Sequence, residues 1–237
     1  MEHNRVDINL DSFSRAADTS GYALPGLTEI EKTILGTHLS KPCKTLVIGC
    51  GAGRVSIPLW QTGHHVDAFD ISERMIEVAQ NNVRNYQNIY PKRRINHFKA
   101  NAVTYDYGEQ AYEAIIAPFN SLDYILPINN RKKVLYKVNK ALQLNVLFIY
   151  SSHIYHFSLN KKSLCYHFIN LINLNLLRQR FLVKTHYGKI IRYHGSRQEQ
   201  EISKNGFHLL EKYHGRNEKH RFKTPWIYYV TRKIKEI

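Results

Sequence analysis

Apolar positions along the first 155 residues form short runs that alternate with stretches of helical spacing. Residues 46–48 are a short apolar run, and residues 65–69 alternate between polar and apolar side chains, as strands do. Further strands are predicted at 95–100, 112–119 and 145–151, and the apolar run 114–117 indicates a strand buried on both faces. Before the last of these strands, an apolar helical stripe runs from Val134 to Leu142. This alternation predicts an α/β fold with a doubly wound, mostly parallel sheet.

The C-terminal part of the chain departs from this alternation. A helix predicted from residue 196 ends at Gly206, and two strands at 207–213 and 226–230 follow in succession, which predicts an antiparallel pair. The segment 154–195 fits no strand–helix unit and contains a predicted hairpin around Gly188. Because an insertion after the fifth strand lies at the edge where doubly wound sheets bind ligands, we predict that this segment is a substrate lid.

The length of 237 residues fits a single domain. We divide it into an N-terminal helical lead-in or lid (1–40), a cofactor-binding core (41–153), the substrate-lid insertion (154–195) and a C-terminal helix with antiparallel strands (196–237). With 43% apolar residues the chain can bury a full core, which excludes a disordered protein. Apolar runs are too short to span a bilayer, and the first residues do not form a signal sequence, so we expect a cytoplasmic protein without a membrane partner.

Positive charge is concentrated in the second half of the chain. Residues 1–130 carry 12 Lys+Arg against 14 Asp+Glu, whereas residues 131–237 carry 22 against 5, a net charge of +17. A surface of one sign attracts ligands of the opposite sign, so nucleic acid is one candidate partner. A background composition rich in Lys, Asn, Ile and Tyr explains the same charge without any binding role. The charge alone does not decide between these interpretations.

Cysteine and histidine spacing indicates no metal site. The three cysteines are widely separated and include no CxxC pair, which favours reduced thiols over a disulfide framework or a zinc site. The 13 histidines have no companion cluster of Cys or Asp. We therefore predict that the protein uses no metal.

A glycine-rich turn follows the first predicted strand. Gly49, Gly51 and Gly53 separate this strand from the next helix, so that a ligand can approach the backbone closely. NAD is disfavoured, because the chain lacks the further Gly or Ala that completes the dinucleotide fingerprint. Asp70 ends the second strand, at the spacing where a carboxylate accepts the hydroxyl protons of an adenosine ribose. A purely local role of Asp70 as a helix cap is the alternative.

Three segments of the chain carry a recognisable pattern: TLVIGCGAGR at 45–54, VDAFDIS at 66–72 and YEAIIAPFNSL at 112–122. They resemble the glycine motif, the acidic motif and the fourth strand with its loop in class I S-adenosylmethionine-dependent methyltransferases. The resemblance implies a Rossmann-like, seven-stranded sheet whose last strand is antiparallel. Two positions depart from the family pattern. Val47 replaces a frequent acidic residue, and Asn101 replaces a frequent Asp of the adenine-contacting loop.

The resemblance also implies S-adenosyl-L-methionine as cofactor and suggests which residues hold it. Asp70 would bind the ribose, and Ile71 would cover one adenine face. The edge of the adenine would meet Asn101 and Ala102, while the backbone around Ala117 would receive the methionine ammonium. The predicted cofactor-binding residues are Gly49, Cys50, Gly51, Gly53, Asp70, Ile71, Met75, Asn101, Ala102 and Ala117.

His153 is the candidate general base. It follows the fifth predicted strand, at the edge where the methyl group is expected, and an imidazole can take a proton near neutral pH. The alternative is that His153 bonds a loop carbonyl or packs against the lid. Candidate substrate-binding residues are Tyr22, Asn120, Tyr155 and His194.

The sequence favours transfer of a methyl group to an O or N atom of a small molecule. An RNA or DNA methyltransferase that uses the basic half is one alternative, but the loop after the fourth strand lacks both the Asn/Asp-Pro-Pro-aromatic pattern and the Pro-Cys pair of such enzymes. A non-catalytic module that binds S-adenosylmethionine is another. The identity of the acceptor and the oligomeric state do not follow from the sequence.

Overall fold

The computed structural model describes residues 26–90, 92–154, 180–185, 188–193, 195–215 and 226–237. Three predicted substrate-binding residues, Tyr22, Tyr155 and His194, lie outside this described part. None of the helices within the described ranges has the length and hydrophobicity that crossing a bilayer requires. The described helices are α1 (Glu29–His38), α2 (Ser56–Gln61), α3 (Glu73–Gln87), α4 (Ile128–Ala141) and α5 (Gly195–Lys204), with a 3₁₀ turn at Ser121–Tyr124. The strands are β1 (Lys44–Ile48), β2 (His65–Asp70), β3 (Ile95–Lys99), β4 (Tyr112–Ala117), β5 (Leu142–His153), β6 (Arg180–Thr185), β7 (Gly188–Tyr193), β8 (Phe207–Gly215) and β9 (Trp226–Lys233).

Seven strands form one sheet in the order β3-β2-β1-β4-β5-β9-β8. The first five pair in parallel, whereas β9 runs antiparallel to both β5 and β8. These pairings confirm the predicted Rossmann-like sheet with an antiparallel last strand. The strand order reverses between β1 and β4, so the carboxyl ends of these two strands form the crevice in which doubly wound folds bind ligands.

Helices cover both faces of the sheet. Along β1, Leu46 and Ile48 pack on the side of α4, where they join Val134 and Val138, while Val47 packs on the opposite side with α1 and α2. This alternation follows from the two-residue period of a strand. Residues 114–117 of β4 are at most 1% exposed, which confirms that this strand is buried on both faces.

The fifth strand is longer than the sequence predicts. It begins at Leu142, which the apolar stripe had placed on the preceding helix, and α4 ends at Ala141. Asn145 has a left-handed φ of 67°, and the register between β4 and β5 shifts next to Tyr112. The bulge interrupts the apolar pattern of the strand, so that the pattern alone predicts a strand that begins at Asn145. At its other end the strand extends beyond the predicted residue 151, so that His153 is its last residue.

The insertion contributes a hairpin next to the ligand-binding edge. β6 pairs antiparallel with β7, which confirms the hairpin predicted around Gly188. β7 packs against the 3₁₀ turn that follows β4 and also contacts β5. Ile190 of β7 is fully buried. Part of the predicted lid thus lies beside the carboxyl ends of β4 and β5.

A buried histidine is expected to make the stability of the fold sensitive to acid. His97 of β3 is 5% exposed, and its Nε2 lies 2.7 Å from Oγ of Ser56 at the start of α2. Burial lowers the pKa of His97 from 6.5 to about 4. Between these values the unfolded chain binds a proton that the folded protein does not bind. The free energy of unfolding should therefore fall as the pH drops from ~6.5 to ~4, by up to ~3 kcal/mol.

We expect His97→Gln to weaken this pH dependence, because glutamine does not titrate and its amide can still bond the Ser56 hydroxyl. Urea unfolding at a series of pH values between ~4 and ~7 measures the effect. His65→Gln serves as the control, since His65 is exposed at the start of β2. A pH dependence in His97→Gln as steep as in the wild type would show that His97 is not the responsible group.

Candidate functional site

Backbone hydrogen bonds hold the glycine turn against β2. The N–H groups of Gly49 and Cys50 both donate to the carbonyl oxygen of Phe69, at 2.9 and 3.0 Å. The backbone at Gly49, Gly51 and Gly53 has φ values of 68°, 53° and 90°, in the left-handed region that side chains disfavour. The turn is therefore fixed in shape before any ligand binds.

One of the three glycines is not closely packed against the rest of the protein. A Cβ on Gly49 would lie 2.7 Å from Cβ of Ser121, and a Cβ on Gly53 would lie 2.6 Å from a side chain of α2, so the packing of the protein itself requires these two glycines. At Gly51, the nearest atom is the sulfur of Met75, at 3.9 Å. The missing side chain of Gly51 thus leaves room for a ligand to contact the backbone.

The carboxylate of Asp70 lies directly beside this opening. Its Oδ2 accepts a hydrogen bond from the N–H of Gly51 at 2.9 Å, and its Oδ1 accepts one from the N–H of Ser72 at 2.9 Å. Burial raises the pKa of the Asp70 carboxyl, and hydrogen bonds from the backbone N–H groups of Ser72, Gly51 and Ile71 oppose this rise. Asp70 therefore has the local structural role that the sequence left open. The carboxylate still has a lone pair for a ligand hydroxyl.

The end of β3 lies next to Asp70. The N–H of Ala100 donates to the backbone carbonyl of Asp70 at 2.9 Å, and a turn begins at the following residue. In this turn Asn101 Oδ1 accepts a hydrogen bond from the N–H of Val103 at 2.9 Å. Asn101 and Ala102 are both half-buried. The residues predicted to contact the adenine edge thus follow the strand that pairs with the Asp70 strand.

The turn after β4 is strained and connects two parts of the site. Phe119 and Asn120 have φ values of 54° and 59°, which are uncommon for residues with side chains and concentrate at ligand sites. The N–H of Asn120 donates to Oγ of Ser151 in β5 at 2.7 Å, and Oγ of Ser121 donates to the carbonyl of Ile48 at 3.3 Å. The turn therefore joins the end of β5 to the glycine turn after β1.

Arg54 connects the glycine turn to the N-terminal helix. Its guanidinium donates two hydrogen bonds to the Glu31 carboxylate, at 2.5 and 2.6 Å, and lies 4.9 Å from the ring centre of Phe119. Burial alone would raise the pKa of Glu31, but Arg54 brings it below its ordinary value. The N–H of Gly26 donates to the carbonyl of Arg54 at 3.1 Å. The segment that leads into α1 is thus hydrogen-bonded to the end of the glycine turn. The sequence did not predict this connection.

His153 lies between a carboxylate and an amide. Its Nδ1 is 3.0 Å from Oδ2 of Asp123, and the same oxygen accepts the backbone N–H of His153 at 2.7 Å. On the other side of the ring, Nε2 is 3.3 Å from Nδ2 of Asn120. The hydrogen-bond partner of the ring is therefore a carboxylate rather than the loop carbonyl considered as an alternative. Asn120, predicted to bind substrate, lies next to the predicted base.

Asp123 belongs to a buried polar network that the sequence did not reveal. Its Oδ1 accepts hydrogen bonds from Oγ of Ser152 at 2.6 Å and from the guanidinium of Arg131 at 3.3 Å. Arg131 also donates to Gln198 at 2.9 Å and to Glu201 at 3.0 Å, both in α5. One signal was present in the sequence, because Arg131 continues the apolar stripe of α4, where buried side chains are expected.

The structure brings the glycine turn, Asp70, Ile71 and Met75 together at one edge of the sheet. The side chains of two other predicted cofactor residues, Cys50 and Ala117, are buried within the apolar clusters, so only their backbones can meet a ligand. The opening at Gly51 and the carboxylate beside it fit an adenosine-type cofactor. Within the described ranges, no three side chains of His, Cys, Asp or Glu are grouped as metal ligands would be.

Comparison with known families and structures agrees with this geometry. Residues 46–145 match a family model described as a methyltransferase domain. A search of curated proteins finds no match. The matched residues include the glycine turn, Asp70 and the turn after β4.

Solved methyltransferase structures resemble nearly the whole chain. A S-adenosylmethionine-dependent methyltransferase from Methanosarcina mazei has a TM-score of 0.68 at 16% identity, with 90% of this chain and 100% of that chain covered. The 1,6-didemethyltoxoflavin-N1-methyltransferase of Burkholderia thailandensis, solved with 1,6-didemethyltoxoflavin and S-adenosylhomocysteine, has a TM-score of 0.69 at 15% identity, covering 98% and 87%. The N-methyltransferase NodS of Bradyrhizobium japonicum, solved with S-adenosylhomocysteine, has a TM-score of 0.66 at 13% identity, covering 96% and 99%. At these identities the likeness shows a shared fold.

Proposed function

Since residues 46–145 match a methyltransferase-domain model and the fold is shared with S-adenosylmethionine-dependent methyltransferases, we propose that this chain transfers the methyl group of S-adenosylmethionine to an oxygen or nitrogen atom of a small molecule. The observation that carries the proposal is the Asp70 carboxylate beside the open backbone of Gly51, at the carboxyl ends of the central strands. The names of two structural neighbours, the toxoflavin and NodS N-methyltransferases, support a small acceptor.

We propose that Asp70 accepts hydrogen bonds from the ribose hydroxyls of the cofactor and that Ile71 and Met75 line the same side. Asn101 and Ala102 follow β3, whose end is hydrogen-bonded to Asp70, and are proposed to meet the adenine edge. The backbone near Ala117, at the end of β4, would receive the methionine ammonium. Bound S-adenosylmethionine supplies a methyl group on a positively charged sulfur, which is already activated for displacement.

The protein then has to align the acceptor with the methyl group and exclude water. For a hydroxyl acceptor, we propose that Nε2 of His153 takes the hydroxyl proton while the bond from oxygen to the methyl carbon forms and the bond from sulfur to that carbon breaks. The Asn120 amide, 3.3 Å from Nε2, would be displaced by the acceptor, and a contact of this length is weak enough to exchange. A neutral amine already has a free lone pair, so that alignment alone suffices.

The acceptor pocket is proposed to form from the insertion and the N-terminal segment. The β6–β7 hairpin packs beside the 3₁₀ turn and β5, where Asn120 and His153 lie. Gly26, three residues before α1, is hydrogen-bonded to Arg54 at the end of the glycine turn, which supports a role of the preceding segment with Tyr22. Tyr155 and His194, at the two ends of the insertion, are proposed to contact the acceptor.

An acceptor screen with methyl-labelled S-adenosylmethionine tests the proposal. We expect label to enter at least one hydroxyl- or amine-bearing small molecule and not bulk RNA or DNA. Asp70→Ala protein is the control for adventitious labelling. Label in nucleic acid alone would contradict the proposal and favour a role of the basic half. Cofactor binding without transfer to any acceptor would favour the non-catalytic alternative.

A further inference from the structure

Asp123 is a buried carboxylate whose hydrogen-bond partners converge on the candidate base. The side chain has no exposed surface, and burying a carboxylate is unfavourable unless it is paired and hydrogen-bonded. Oδ1 accepts from Ser152 and Arg131, whereas Oδ2 accepts from the backbone N–H of His153 and faces Nδ1 of its ring. One oxygen is thus held by the surrounding protein, and the other is directed entirely at His153.

We propose that Asp123 is the positioning residue of His153 and keeps its ring in the tautomer with the proton on Nδ1. An ionised carboxylate can only accept hydrogen bonds, so the nitrogen that faces it has to donate. In a neutral imidazole the other nitrogen, Nε2, then carries the lone pair. The catalytic consequence rests on the proposed function: only this tautomer leaves Nε2 able to take a proton from an acceptor.

The surroundings of the ring agree with this assignment. The group of Asn120 that faces Nε2 is Nδ2, a donor, which matches a ring nitrogen that accepts. Oδ1 of Asn120 is buried and has no hydrogen-bond partner among the residues that the structure describes. The opposite tautomer would instead require Oδ1 to face Nε2 and would place two acceptors, Nδ1 and the Asp123 carboxylate, against each other.

Two helices fix the position of the Asp123 carboxylate. Arg131 of α4 is 2% exposed and compensates the buried negative charge. Gln198 of α5 accepts from Arg131 at 2.9 Å, and its Nε2 donates to Oγ of Ser152 at 2.5 Å, so that Ser152 is held toward Asp123. A carboxylate that is held from both sides can orient a neighbouring ring more tightly than a carboxylate whose side chain is free to change rotamer.

Nitrogen NMR of the histidine rings in the full-length protein tests the assignment without any acceptor. Above neutral pH, we expect His153 to show the Nδ1–H pattern, with its signals identified by their loss in His153→Gln. In Asp123→Asn, the amide can donate as well as accept, so the preference should shift toward the Nε2–H form. With a hydroxyl acceptor from the screen, Asp123→Asn should lower kcat by ~10²-fold while the Kd of S-adenosylhomocysteine changes by less than about threefold.

Glu201→Gln is the matched control for damage to the network. It removes the negative charge that pairs with Arg131 without touching Asp123 or His153, so it should lower the Tm and leave the tautomer unchanged. If Asp123→Asn does not fold, the wild-type spectrum alone still tests the tautomer of His153. Ser152→Ala keeps the contact between Asp123 and His153, so this variant should retain the Nδ1–H form. An Nε2–H ring in the wild type would overturn the inference, as would an Asp123→Asn protein with an unchanged tautomer and rate. An Nδ1–H ring in a protein that methylates nothing would overturn the proposed function and leave the tautomer assignment standing.

Discussion

Replacing His153 with alanine should lower turnover on a hydroxyl acceptor by about 10² to 10⁴-fold, because a general base acts in the transition state. The Kd of S-adenosylhomocysteine should stay within about threefold of the wild-type value, since the ring does not hold the cofactor. Steady-state kinetics and calorimetry measure the two quantities. His208→Ala is the matched control, because His208 is exposed on the edge strand β8.

The result depends on the chemistry of the acceptor. For a neutral amine the loss should be small, because the nitrogen lone pair is already available. Normal turnover of His153→Ala on a hydroxyl acceptor would eliminate His153 as the base. The next candidates would then be Tyr155, His156 and His194, which lie at the two ends of the insertion in the sequence.

Replacing Asp70 with alanine should weaken cofactor binding by about 1.5 to 3 kcal/mol, or roughly 10- to 150-fold in Kd. The variant removes the hydrogen bonds expected from the ribose hydroxyls to a charged group. It also releases the N–H groups of Gly51 and Ser72, which the carboxylate now holds at 2.9 Å each. Calorimetric titration with S-adenosylhomocysteine gives the change directly.

Asp67→Ala is the matched control for Asp70→Ala. Asp67 lies on the same strand and carries the same charge, but its carboxylate accepts from the hydroxyl of Tyr112 at 3.2 Å instead of ordering the glycine turn. Its removal should leave cofactor affinity nearly unchanged. Equal losses in the two variants would mean that Asp70 acts through general destabilisation of β2 rather than at the cofactor site.

Local patterns in the sequence were sufficient to predict most of the fold. The apolar run at 114–117 and the alternation at 65–69 each report burial within one strand, and both strands are present. The glycine turn and Asp70 were also predictable, because a left-handed backbone and a strand-end carboxylate are encoded by single residues. The bulge at Asn145 was not, since it depends on the register with β4 rather than on the side chains of β5 alone.

The buried network behind His153 could not be read from local patterns. Arg131 reaches Gln198 and Glu201, which are 67 and 70 residues away along the chain. Nothing in the spacing of polar residues indicates that two helices and the turn after β4 meet at one carboxylate. The position of Arg131 on an apolar stripe was the one local sign that its charge is compensated inside the protein.

The structure also changes the interpretation of the basic half. Two of its cations are internal: Arg131 pairs with Asp123, and the fully buried Lys233 donates to the carbonyl of Leu142 at 2.7 Å. These charges lie inside the protein and do not contribute to an electrostatic surface. Net charge along a sequence therefore overstates the positive surface that a nucleic acid would meet.

Cofactor selectivity tests the central claim most directly. In calorimetric titrations of the wild-type protein, S-adenosylmethionine and S-adenosylhomocysteine should bind and NAD should not. Gly51 leaves room for the adenosine of an S-adenosyl compound, and Asp70 provides a carboxylate beside it. NAD should fail to bind because the dinucleotide fingerprint is incomplete. Binding of NAD, or no binding of either S-adenosyl compound, would contradict the account.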